Sequence, residues 1–254
     1  MLTNSNSVRN GLGFCRRVAA VSMVFFVLTV TALAQSTEEL LQQADAALQK
    51  EDYTAAAAVL ETYLAGQPEN YRAEFNLAFA YSLTGRRAEA IRLYKNVLSR
   101  EKELTAAHRN LGILLLQEGN AAEAVDHLQF VAGKEPLDVP THFNLAEALA
   151  SAKRRQEARE TYEKVLQLKP DHVQALLAFA ELLAETDTAA AEQQLRRALE
   201  IDSSLDDARL RLAGLLEARA AKGADTLDEA ATIYLRHLEA HPGRNDLRRR
   251  LGQI

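Results

Sequence analysis

The sequence predicts an all-α chain built from repeated helical hairpins, and three observations lead there. From residue 36 onward the chain is written mainly in Ala, Leu, Glu, Gln and Arg, strong helix formers, with few of the β-branched and aromatic clusters that mark strands. Apolar residues recur at spacings of three and four, one stripe per helix. The stretch "FNLAFAYSLTGRRAEAIRLYKNVL" at 75–98 returns in thinner form from Arg109 as "RNLGILLLQEGNAAEAVDHLQFVA", 34 residues later. With 254 residues, 48% hydrophobic and 26% charged, the chain has enough apolar surface to fold and is not a disordered acidic tail.

Residues 1–34 stand apart. Arg9, Arg16 and Arg17 precede the run "VAAVSMVFFVLTVTALA" at 18–34, which ends in Ala32-Leu33-Ala34 before Gln35, with no acidic residue anywhere in the segment. A positive n-region, an apolar h-region and a small-x-small end, in that order, predict a cleaved signal peptide. The alternative is an N-terminal membrane anchor over residues 18–34, but 17 residues that include Ser22, Thr29 and Thr31 fall short of the roughly 20 needed to span a bilayer. Cleavage removes Cys15, the only cysteine, so the mature chain carries no thiol into an oxidising compartment. It leaves 27 basic against 35 acidic residues, a formal net charge of −8. That disfavours nucleic acid as a partner, since phosphate binding needs a basic face. The absence of an Asn-x-Ser/Thr sequon after residue 34 favours a bacterial envelope, periplasmic or secreted, over a eukaryotic secretory lumen.

A 34-residue ruler laid from Tyr71 aligns Leu77, Leu111 and Leu145 in one column and Ala78, Gly112 and Ala146 in the next. Ala90, Ala124 and Ala158 form a third, Tyr94, Leu128 and Tyr162 a fourth, and Val97, Val131 and Val165 a fifth. Pro68, Pro136 and Pro170 share a further column, broken only by Lys102; proline cannot continue a helix, so these mark recurrent helix ends. Gly85 and Gly119 punctuate the turn inside each hairpin. Repeats are expected at 37–70, 71–104, 105–138 and 139–172, then irregular ones at 173–205, short by one residue near Asp187, and 206–244, lengthened in "ARAAKGADT". A capping helix is expected at 245–254, with Leu247, Leu251 and Ile254 inward and Arg248, Arg249 and Arg250 wet. Ordering 34 residues costs roughly 1.5 kcal/mol each, about 50 kcal/mol per hairpin, which one amphipathic hairpin cannot recover alone. Neighbours must supply the missing core, so contact columns persist while solvent columns drift.

The pattern Leu-Gly/Ala-x-x-Tyr, then Gly, Ala, Tyr/Leu, Ala/Val and a closing Pro resembles the tetratricopeptide repeat (TPR). The resemblance covers nearly all of the chain after the leader and implies a right-handed α-α superhelical solenoid of about six hairpins plus the capping helix. The chain departs from the family at the usual tryptophan position of the first helix, which holds Leu40, Glu74, His108, His142, Leu176 and Arg209.

The resemblance further implies a concave face made by the first helix of each repeat, which holds Phe75, Asn76 and Phe79; Arg109, Asn110 and Ile113; and Phe143, Asn144 and Glu147. An Asn in that column can hold the backbone of a bound peptide; it can also simply bond a neighbouring helix or water. The phenylalanines read equally as peptide anchors or as core. A carboxylate clamp of the chaperone-tail type is not expected, because the corresponding positions carry Leu41, Asp45, Asn76, Ala106 and Asn110, and only the central Asn matches.

No catalytic residue, metal site or cofactor is expected. The chain has no His-Glu-x-x-His, no Gly-rich phosphate loop and no nucleophile elbow. His108 and His142 sit one period apart, but a metal needs three or four ligands, and the reading preferred for them is half-buried substitutes for the usual aromatic. His172 lies beside Asp171 in an inter-repeat turn, and "KRRQEAR" from Lys153 is a solvated basic turn. The function expected is an exported, non-catalytic scaffold that binds a protein or peptide in its groove within a cell-envelope complex. A membrane-anchored scaffold with an oligomerising role is the alternative, and an enzyme with an unrecognised site stands last.

Overall fold

The computed structural model describes residues 37–254, so the signal-peptide or membrane-anchor reading of 1–34 lies outside the described residues. The described residues form thirteen helices and no strand. The described residues divide into two compact units, one reaching to Ala107 and the other spanning His108–Ile254. No helix of the described residues is long and apolar enough to cross a membrane.

The N-terminal unit holds α1 (37–49), α2 (Tyr53–Gly66), α3 (Tyr71–Leu83) and α4 (Arg87–Arg100). Asp52 and Asn70 cap α2 and α3 by accepting hydrogen bonds from the first free backbone N–H groups, at 3.0 Å from Ala55 and 3.1 Å from Arg72 and Ala73. Asn70 also donates to the Tyr63 hydroxyl at 2.7 Å, which fixes the entry to α3 against the end of α2. The apolar stripe of α4, Ala90, Tyr94 and Val97, is completely buried, and Leu77 and Ala78 of α3 are buried with it. The small alanines permit close approach of the helices while the tyrosine fills the space beside them.

α5 (Thr105–Gln117) runs across the division between the units. The C-terminal unit continues with α6 (Ala121–Lys134), α7 (Val139–Ser151), α8 (Arg155–Leu168), α9 (Val173–Leu183), α10 (Thr188–Ile201), α11 (Asp206–Ala220), α12 (Leu227–Ala240) and α13 (Asn245–Leu251). The first helices α3, α5, α7 and α9 begin at 71, 105, 139 and 173, a spacing of 34. Ala124, Leu128 and Val131 of α6, and Ala158, Tyr162 and Val165 of α8, are buried in the columns that Ala90, Tyr94 and Val97 occupy in α4.

The turns inside the hairpins share one backbone device. Glu51, Gly85, Gly119 and Lys153, each 34 residues from the next, all take a left-handed conformation, with φ of 58°, 83°, 80° and 64°. Glycine does so without penalty, whereas Glu51 and Lys153 bear the steric cost of a Cβ there. The fifth hairpin lacks that residue: α9 ends at Leu183, and Asp187, with φ −146°, caps α10 by accepting from Ala190 N at 3.0 Å. In the sixth, the longer turn recovers a left-handed residue at Gly223, and the Thr226 hydroxyl donates back to the Leu216 carbonyl at 2.7 Å.

α13 buries Leu247 among Leu212, Leu216 and Tyr234, while Leu251 is half-buried. Two expectations for this segment need correction. Ile254 is exposed rather than inward, because the helix stops at Leu251 and the following residues leave its register. Arg250 is not simply solvated; it folds back to donate to Glu217 at 3.0 Å and to the Tyr234 hydroxyl at 3.1 Å.

Candidate protein-binding face

In the N-terminal unit, α3 carries Phe75, Asn76 and Phe79. Phe75 is half-buried and meets Tyr94 edge-on at 5.4 Å between ring centroids, so it belongs to the packing of α3 on α4. Phe79 is exposed, and its ring meets that of Tyr53 edge-on at 5.8 Å between centroids. The core-or-anchor ambiguity thus divides: Phe75 leans inward and Phe79 outward. Asn76 is half-buried, and its amide engages no other side chain among the described residues. Glu74, at the family's tryptophan position, is buried, and its carboxylate accepts from Asn96 Nδ2 at 2.6 Å and pairs with Arg100. A charge survives there because α4 supplies both partners. Nearby, Tyr81 donates to Glu61, which also pairs with Arg86 at 2.8 Å; burial, followed by the bond to Glu61, pushes the Tyr81 phenol up to about 12.

In the C-terminal unit, Arg109 is engaged within the protein. Its guanidinium pairs with Glu135, donates to Asp138 Oδ2 at 2.6 Å and to Thr141 Oγ1 at 3.0 Å, and so joins α5 to the start of α7. Asp138 simultaneously caps α7 through Thr141 N at 3.1 Å. Burial works against its charge, but the Thr141 and Arg109 hydrogen bonds outweigh it and hold the carboxyl below the usual range. Asn110, Ile113 and Asn144 are half-buried, and the Asn144 amide engages no other side chain among the described residues. Phe143 is wedged between Tyr162, edge-on at 6.4 Å, and the stacked ring of His172 at 5.1 Å. His172 caps α9 by accepting at Nδ1 from Ala175 N at 3.3 Å.

Glu147 is the site residue with an unusual environment. It is half-buried and bonded to the Tyr162 hydroxyl; desolvation, then repulsion from Glu181, raises its carboxyl above the ordinary value. Burial likewise raises the Tyr162 phenol. Glu181 was not among the expected site residues, although it stands one 34-residue period beyond Glu147 and extending that column would have found it. Two open depressions meet at Glu181. One, of about 400 Å³, is lined by Glu147, Lys153, Arg155, Tyr162 and Glu181 among others. The second, of about 330 Å³ and mostly apolar, is lined by Leu177, Ala180, Ala184, Leu195 and Leu215, with Arg211 at its edge. Glu181 is paired with Arg211 at 2.8 Å and Glu185 with Arg155 at 2.5 Å, so Glu147 is the carboxylate on this face with only a neutral partner. Such a surface can accept an aliphatic side chain beside a cationic one.

The histidine column does not behave as a column. His108 Nδ1 lies 2.8 Å from His127 Nδ1, with its ring stacked on Phe130 at 4.1 Å, whereas His142 Nε2 lies 3.0 Å from the Pro136 carbonyl. Each ring finds its partner on the nearest segment of its own surroundings.

The sequence matches the family model described as Tetratricopeptide repeat over residues 47–112 and 115–180, just over half of the chain. No curated protein matches it significantly. Among solved structures, the C-terminal part of a TPR repeat-containing protein from Cytophaga hutchinsonii is 17% identical with a TM-score of 0.67, covering 83% of this chain and 86% of that one. MamA from Desulfovibrio magneticus RS-1, from residue 41 onward, is 16% identical with a TM-score of 0.63, covering 67% of this chain and 97% of that one. A further MamA structure is 21% identical with a TM-score of 0.61, covering 66% and 92%. At these identities the likeness is one of fold. Helical hairpins at a 34-residue spacing, buried small-residue columns and the matched family model agree: the chain belongs to the tetratricopeptide repeat family and has its all-α solenoid fold.

Proposed function

We propose that the chain is an exported, non-catalytic scaffold that binds a protein segment along the first helices of its repeats and so organises a cell-envelope complex. The observation that carries this reading is the pair of depressions joined at Glu181, along α7, α9 and α11. A polar depression containing a partly desolvated carboxylate adjoins an apolar one, which suits a peptide with a Lys or Arg next to an aliphatic residue. Asn144, one turn before Glu147 on the same helix, is placed to bond that peptide's backbone, and Asn76 and Phe79 offer a comparable polar and apolar pair on α3. Export is supported by the ordered n-region, h-region and Ala32-Leu33-Ala34 triplet, and by the absence of cysteine after residue 34. The family model that matches is a repeat family, not a catalytic one.

The test uses the full chain produced in a bacterial host with an envelope. Its mature N-terminus is read by mass, with a start at Gln35 expected; an intact leader would favour the anchored alternative. Capture from an envelope extract is then compared between the wild type and Glu147→Lys, which reverses the charge at the mouth of the depression. The proposal expects the wild type to retain a discrete partner that the variant loses while its helicity is unchanged. Equal capture by both proteins would remove this face from consideration.

A further inference from the structure

Going beyond the binding of a protein segment, the sixth hairpin brings together a set of side chains that neither the repeat pattern nor the groove explains. α11 and α12 are antiparallel partners, so the start of α11 lies beside the end of α12. Asp206 opens α11, His237 sits in the last turn of α12, and His241 is its C-cap. One ligand atom from each of these three residues lies within 4.8 Å of the others. The two histidines are four residues apart, which places them on one face of the helix, with ring centroids 4.6 Å apart. Asp206 and His241 are exposed and His237 is half-buried, so the cluster opens to solvent.

We propose that Asp206, His237 and His241 form a binding site for a divalent transition metal of the zinc type. Imidazole nitrogen and carboxylate oxygen are the donors such ions prefer, whereas magnesium and calcium favour all-oxygen sets. Donor atoms at a tetrahedral zinc lie roughly 3.3–3.5 Å apart, given metal–ligand bonds of about 2.0–2.1 Å, and rotation of exposed side chains closes the remaining ångström or so. Arg209 donates to Asp206 Oδ1, which orients the carboxylate and leaves Oδ2 for the ion. Arg244, just before α13, is held by Asp246 at 2.8 Å. The C-terminal end of the α12 dipole favours a positive charge at His241. Three protein ligands leave at least one position for water or for a group from a partner.

The site also has a mechanical meaning within its hairpin. The chain joins α11 to α12 at the far end, through the long turn around Gly223, and nothing covalent joins the helices at the end where Asp206 meets the histidines. A bound ion would clip that open end, compensating for the longest turn among the hairpins.

The experiment titrates zinc chloride into the untagged, chelator-stripped full chain in a non-coordinating buffer, by calorimetry and by thermal melting. The expected result is one zinc per chain in the micromolar range and a higher melting temperature on zinc addition. In the double variant His237→Ala/His241→Ala, affinity falls at least tenfold and the thermal shift disappears, with helicity unchanged. Asp206→Asn weakens binding less, and His127→Ala, which alters the other histidine pair, leaves it intact. No stoichiometric binding at micromolar zinc, or binding retained in the double variant, overturns the proposal.

Discussion

Gly112 in α5 stands so close to Leu128 in α6 that a Cβ on the glycine would lie 2.8 Å from Leu128 Cγ and 3.1 Å from its Cδ2. Leu128 is completely buried and cannot swing away. The same column holds Ala78 and Ala146 where the facing residue is Tyr94 or Tyr162, so the glycine accompanies the branched partner. Gly112→Ala should destabilise the protein by about 1–3 kcal/mol through overpacking. Chemical denaturation checks this, and pairing it with Leu128→Ala should recover part of the loss.

Lys153 bears a left-handed backbone, φ 64°, at the place where two other hairpins use glycine. A Cβ in that conformation costs roughly 1–2 kcal/mol, partly offset by the greater freedom of glycine in the unfolded chain. Lys153→Gly should therefore raise the denaturation midpoint, and Gly85→Ala should lower it. Circular dichroism against urea reads both, and a neutral result for the pair would remove the strain argument.

Glu147 makes a pH-dependent contribution whose sign follows from its environment. Burial and the Glu181 charge raise its folded pKa above the unfolded value. Its contribution to stability is thus fully present below the unfolded value and is lost as pH rises through the folded one. Glu147→Gln, which can still accept from Tyr162, should melt higher than the wild type at pH 7, and the difference should shrink toward pH 4. Thermal scans across that range provide the check.

Replacing Asn76, Asn110 and Asn144 together by Ala should leave helicity unchanged, since none of them lies among the completely buried side chains. Partner capture should be lost. Replacing Ala90 or Ala124 by Leu should do the reverse, costing about 1–3 kcal/mol because both are completely buried in the contact columns. Comparing melting with capture separates the two classes of position.

The repeat fold was legible because stacking imposes size, and size is written in the sequence: Ala90, Gly112 and Leu145 recur where a neighbour's volume leaves no choice. Charged contacts were not legible in that way. Arg109 looked like a ligand-facing cation, yet its long side chain reaches Glu135 and Asp138 in the next connection, a choice that no spacing encodes. Glu74 broke the family's aromatic column and was readable only as a departure, until Asn96 and Arg100 were seen to satisfy it. The proposed zinc-type cluster escaped because its third ligand comes from the other helix of the hairpin, 31 residues before His237; the His-x-x-x-His spacing at 237 and 241 was its one local sign. Glu181 lay one column step away from a residue already singled out.

From α6 onward, the most extensive contacts link each helix to its sequence neighbour, with lighter next-but-one contacts such as α7 with α9, Glu181 of α9 with Arg211 of α11, and Glu217 of α11 with Arg250 of α13. Such wiring brings together residues that are already near along the chain, so little loop-closure entropy stands between the unfolded chain and its first hairpins. Amide hydrogen exchange should accordingly show graded protection, slowest in α7–α9 and fastest toward α13, instead of one all-or-none opening. It also explains how the fifth hairpin tolerates a lost residue and the sixth several extra ones: an indel strains one joint and leaves the rest of the column in step.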